Sequence, residues 1–134
     1  MKSSTVLITA LLVGLTGPAF TEPKTLQGEL VDPAAYVKTG TRGPETEDAT
    51  YEAVDGGQTL ALLEDGTSAL YLLLAEEPGE DPNELAYDYV NRRVTVIGTI
   101  YERGGLRGIV ATSIAPVDLP AATSPTASAP AATN

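Results

Sequence analysis

Residues 93–114 read RVTVIGTIYERGGLRGIVATSI, and this stretch decides the fold. Arg93 to Tyr101 and Leu106 to Ile114 are rich in β-branched residues and alternate in polarity, and Arg103-Gly104-Gly105 supplies a turn between them. Two antiparallel strands joined by a hairpin are expected. Upstream, Thr59 to Leu63 and Ala69 to Leu74 are apolar runs linked through Glu64-Asp65-Gly66-Thr67, where an Asp-Gly pair suits the positive φ angles of a tight hairpin. Further back, Thr25 to Asp32 (TLQGELVD) places Leu26, Gly28 and Leu30 on one face and Gln27 and Glu29 on the other, as a half-buried strand requires.

Two segments between these strands carry helix signals. Asp81-Pro82-Asn83-Glu84 offers a capping carboxylate, a proline for the first turn and a Glu at N3, ahead of Leu85, Ala86, Tyr89 and Val90 at helical spacing. A short helix to about Asn91 is expected there, with Arg92 and Arg93 at the negative end of its dipole. Pro33 to Gln58 is long for a loop in a small domain and predicts structure of its own. Pro44 suits a first helical turn, Glu45, Glu47 and Asp48 favour its positive end, and Gly56-Gly57 stops it after Val54.

The order is three strands, a helix, then two strands, with a further short helix between strands one and two. Gly28, Gly98 and Gly108 fall on the inward parity of their strands, where a missing side chain permits sharp coiling. The reading is all-β with minor α: a five-stranded OB-like barrel spanning residues 24–118. A plain antiparallel sheet with a helix packed on it would use the same elements.

The ends read differently. Met1-Lys2, the apolar run Val6 to Leu15 and the small residues Gly17-Pro18-Ala19 predict a signal peptide over 1–19, cut after Ala19, and hence an exported protein, periplasmic or secreted. Val6 to Phe20 contains Gly14, Gly17 and Pro18 and is short of the roughly 20 residues of a bilayer span. No stable membrane insertion is expected once it is removed. With no Cys in the chain, lipid attachment through Cys and disulfides are both excluded. Residues 119–134 close the sequence with Ala, Pro, Ser and Thr and predict a disordered tail. Loss of Lys2 leaves seven Lys and Arg against eighteen Asp and Glu, a net charge near −11 that disfavours nucleic acid as a partner.

The stretches GELVDPAAYVKTGTRG (28–43), LALLEDGTSALYLLLAEE (60–77) and RRVTVIGTIYERGGLRGIV (92–110) resemble a family of small exported bacterial OB-type proteins. The resemblance covers most of Thr25 to Val117. Members of that family typically carry a Cys before the tyrosine matching Tyr36, then a His-x-x-Cys-x-x-x-Cys run before a Gly-Gly pair. The resemblance implies a metal or redox site on one helix face. In this sequence the corresponding positions are Ala35, Thr46, Ala49 and Ala53, which cannot supply thiolate or imidazole ligands. The chain is therefore expected to be a divergent member without that metal site, and no cofactor is expected.

Without His or Cys, the common nucleophile and base pairs are absent, which argues against an enzyme. Glu76, Glu77, Glu80 and Asp81 lie in a Pro- and Gly-containing loop, where solvation leaves them unsuited to acid and base chemistry. That loop also lacks the spacing of a dedicated Ca²⁺ site. The expectation is a binding module for a small molecule or a protein. Asp32, Tyr36, Tyr71, Arg103 and Arg107 are the candidate ligand-binding residues: Tyr71 as a stacking surface on strand three, and Arg103 and Arg107 as an anion clamp beside the last hairpin.

Overall fold

The computed structural model describes residues 22–117, so the predicted signal peptide, 1–19, and tail, 119–134, lie outside the described residues. Five strands form a closed barrel: β1 (Lys24–Val31), β2 (Ala61–Glu64), β3 (Leu70–Leu73), β4 (Arg93–Arg103) and β5 (Leu106–Pro116). Around the barrel they run β1-β2-β3-β5-β4 and back to β1. β1 pairs antiparallel with β4 over Lys24 to Glu29 and with β2 over Gly28 to Val31. β3 meets β5 in parallel at Leu72↔Gly108 and Leu73↔Ile109, which closes the OB-type barrel.

Closure forces backbones together at two glycines. A Cβ on Gly28 would lie 2.1 Å from the Leu63 carbonyl oxygen, and one on Gly98 would lie 2.3 Å from that of Val110. Gly28 is where β1 passes from β4 to β2, and Gly98 sits at a register shift between β4 and β5. Coiling the strands this tightly leaves no room for a side chain there. Gly108 differs from its expected inward placement. Its neighbour Ile109 is fully buried, and a Cβ on Gly108 would meet the half-exposed Leu74 side chain, so Gly108 faces outward.

Inside, Leu30, Leu60, Leu62, Leu73, Val94 and Ile109 form the core, with Ala86 and Val90 packing against them from the segment between β3 and β4. At the β4–β5 hairpin Gly104 and Gly105 both adopt positive φ while Arg103 pairs with Leu106, the geometry that matches strand twist in a two-residue loop. The β2–β3 loop is longer than the tight turn its Asp-Gly pair suggested. Gly66 and Ser68 both have positive φ, Glu64 and Ala69 close the loop, and Thr67 Oγ1 bonds Glu64 and the Ala69 N–H.

The β1–β2 connection holds α1 (Pro33–Thr39), a 3-10 turn at Pro44–Thr46, and α2 (Glu47–Asp55). α2 corresponds to the predicted helix. The helix expected from Asp81 to about Asn91 is absent as such: the segment is a series of turns with one 3-10 turn at Tyr87–Tyr89. Asp81 does cap, but it accepts from the Asn83 N–H in a local turn. At the other end Val90 is extended, Asn91 is left-handed, the Asn91 N–H bonds the Leu30 carbonyl, and the Arg92 carbonyl accepts from the Leu30 N–H. Pairing with β1 takes the backbone groups that a helix would have used. Arg92 and Arg93 consequently sit at the entry to β4 rather than at a helix end, and Arg93 pairs with Asp65.

Candidate functional site

Strand parity separates the two sides of β3. Tyr71 lies on the side of buried Leu73 and packs against the core, so it is not the outward stacking platform expected of it. Leu72 and Leu74 take the outward side. With Tyr101 and Leu106 from the β4–β5 ribbon they wall a cavity of about 270 Å³, rimmed by Arg103 and Arg107. Gly108 on the neighbouring strand contributes no side chain to fill it.

Three of the walls are apolar groups that folding leaves in water: Leu106 is 63% exposed, Tyr101 53% and Leu74 37%. Single exposed apolar residues are ordinary, but three large ones around one hollow form a patch of the kind that ligands or partners cover. Arg107 stands 3.5 Å from Glu102, with both side chains about half exposed. A pair that open to solvent is weak and exchanges readily for another anion. Arg103 makes no ion pair among the described residues. A second hollow of about 300 Å³ shares Leu74 and Tyr101 and is partly polar, with Glu76, Thr99 and Thr112 on its walls.

Asp32 and Tyr36 lie elsewhere. Asp32 is the N-cap of α1: its Oδ1 accepts the Ala34 N–H at 2.8 Å, and its carbonyl accepts from Tyr36. Tyr36 is half-buried in α1, and its carbonyl accepts from Gly40, which ends the helix. Of the five candidate residues, the hairpin cavity gathers Arg103 and Arg107 alone. The positions where the resembled family has its ligands are occupied structurally: Thr46 Oγ1 donates to the Gly43 carbonyl at 2.8 Å, Ala49 is exposed, and Ala35 and Ala53 are half-buried. Among the described residues no group of three or more Asp or Glu is placed to hold a metal ion.

A second polar centre is absent from the sequence reading. Glu29 occupies the outward parity of β1, yet the connection following α1 covers it and leaves 4% exposed. Its carboxylate accepts from Arg42 Nε at 2.9 Å and from the Gly43 N–H at 2.8 Å. Alternation along β1 reads Glu29 as solvated, and no local pattern reveals that residues 42 and 43 return over it.

No family model, curated protein or solved structure matches this chain.

Proposed function

We propose that the chain is an exported, non-enzymatic OB-type module that holds a small amphipathic anion at the outer face of β3 and the β4–β5 hairpin. The observation that carries this is the meeting of Leu74, Tyr101 and Leu106, all exposed, with Arg103 and Arg107 around one cavity. Covering apolar walls releases about 25 cal/mol per Å². The guanidinium forks supply directional bonds to a carboxylate, sulfonate or phosphate that an apolar patch alone lacks. Export rests on the pattern of residues 1–19, and the absence of His and Cys keeps common catalytic machinery out of the reading.

Fluorescence titration with anilinonaphthalene sulfonate, an apolar body bearing one anion, tests the site. Saturable binding in the wild type is expected to weaken about tenfold in Arg103→Glu and in Leu106→Ser, each corresponding to roughly 1.4 kcal/mol. Binding untouched by both substitutions would remove the hairpin cavity from consideration.

A further inference from the structure

At the far end of β4 lies a larger cavity, about 560 Å³, which shares no residue with the one at the hairpin. It lies within the 300–1,000 Å³ range of small-molecule sites. Pro44, Pro116 and Val117 give it apolar surface, and Arg42, Arg92 and Arg93 bring three cations to it in a protein of net charge −10. Two of those cations are matched: Arg42 pairs with buried Glu29, and Arg93 with Asp65. Arg92 is exposed and makes no ion pair among the described residues. Arg92 is thus the arginine of this lining left without a carboxylate partner, although the Glu45 carboxylate also lies close by, against Gly43.

Asn91 on the same wall is an independent sign. It is 3% exposed and held at φ 56°, a left-handed conformation that glycine adopts without penalty and asparagine only tolerates. Its Oδ1 is the one buried side-chain oxygen or nitrogen without a hydrogen-bond partner among the described residues. An unpaired polar atom on a strained residue is uncommon in a folded interior, and such positions concentrate at ligand sites.

We propose that this cavity is a second binding site, for a small organic acid carrying a single negative charge, with the acid on Arg92, its apolar body against Pro44, Pro116 and Val117, and a donor group meeting Asn91 after its carboxamide turns toward the cavity. Arg42, fixed by Glu29 through Nε, presents the remainder of its guanidinium to the same anion. The size of the cavity and its apolar walls favour an organic acid over an inorganic ion.

Titration of the isotope-labelled protein by NMR with salicylate, a monocarboxylate with an apolar ring and an adjacent hydroxyl, tests this. Saturable shifts are expected at Gly43, Asn91, Arg92, Arg93 and Val117. Arg92→Ala, which removes an exposed side chain with no ion pair, should weaken binding about tenfold while leaving the spectrum otherwise folded. Asn91→Gly, which suits the backbone, should also weaken binding without loss of thermal stability. Neutral salicylamide should bind at least about tenfold more weakly. The proposal is overturned by an absence of saturable shifts, by equal binding of salicylamide, by binding that survives Arg92→Ala, or by shifts confined to the β4–β5 hairpin. That last result would support the hairpin site while removing this one.

Discussion

Asn83 Oδ1 accepts the backbone N–H of Leu60 at 2.8 Å, and the same carboxamide donates through Nδ2 to the Gln58 carbonyl at 2.9 Å. One side chain, itself 6% exposed, thereby satisfies two backbone groups at the approach to β2 and ties the segment between β3 and β4 to the barrel. Asn83→Ala removes both bonds, and a buried group left without a partner costs about 1–3 kcal/mol. A loss of about 2–4 kcal/mol in chemical denaturation is expected on that basis. Asn83→Asp retains the acceptor but sets a buried anionic oxygen against the Gln58 carbonyl, so it should lose at least as much.

The glycines of the barrel separate into two kinds by what surrounds them. Gly98→Ala drives a methyl into the Val110 backbone, and Gly28→Ala into that of Leu63. Backbone cannot step aside as a side chain can, so each is expected to cost about 3 kcal/mol. In a domain of this size that lowers the melting temperature by roughly 12–24 °C. Gly108→Ala displaces the Leu74 side chain alone and should change stability by less than about 1 kcal/mol. Because the displaced group moves at the hairpin cavity, Gly108→Ala should nevertheless weaken binding of anilinonaphthalene sulfonate. Calorimetry and the dye titration together distinguish the two effects.

For Glu29 and Arg42 the two single substitutions differ in severity. Arg42→Ala leaves a buried carboxylate with one remaining donor, and with half the arginine side chain exposed, water offsets part of the loss. A cost of about 2 kcal/mol is expected, below the 3–5 kcal/mol of a fully buried pair. Glu29→Gln keeps an acceptor for the Gly43 N–H and should cost about 1 kcal/mol. The double variant should be more stable than the sum of the two singles predicts, which a double-mutant cycle measures directly.

Alkaline pH acts through two tyrosines. Tyr51 and Tyr87 meet edge to face with ring centroids 5.0 Å apart. The hydrogen bond from the Tyr87 hydroxyl to Asp55 raises its pKa above 10, and burial followed by the charge of Glu47 raises that of Tyr51. Phenols that hold their protons longer folded than unfolded contribute stability that is fully present below about pH 10 and declines as pH rises through the folded values. The melting temperature should therefore fall as the pH rises above about 10, and fall less in Tyr87→Phe. Equal slopes for the two proteins would refute the assignment.

What the sequence made legible follows the range of the interactions involved. Alternation along β4 and β5 and the two glycines between them identified the ribbon because side-chain period and turn conformation are local properties. α2 was legible for the same reason, from Pro44, the acidic first turn and Gly56-Gly57. The segment after Asp81 carries a helix signal, yet its backbone pairs with Leu30, some sixty residues away in sequence, and no propensity anticipates that partner. Arg103 and Arg107 could be placed beside one another from the sequence because they flank a visible turn, and both line the hairpin cavity. Whether Tyr71 stacks on a ligand or packs across strands was not legible, because a run of leucines hides which parity of β3 faces inward. Glu29, Arg42 and Asn91 come together only through the fold, so neither composition nor spacing pointed to them.

The bond from the Gly43 N–H to Glu29 spans fourteen positions along the chain. It divides the longest connection of the barrel into two shorter closures, one containing α1 and one containing α2. Since closure entropy depends on the logarithm of loop length, each half can change in length at little thermodynamic expense while the anchor at Glu29 persists. The stretch from Pro44 to Thr59 thus closes as a loop of its own, whose length can vary wherever Tyr51, Val54, Asp55 and Gln58 keep their contacts with the rest of the domain.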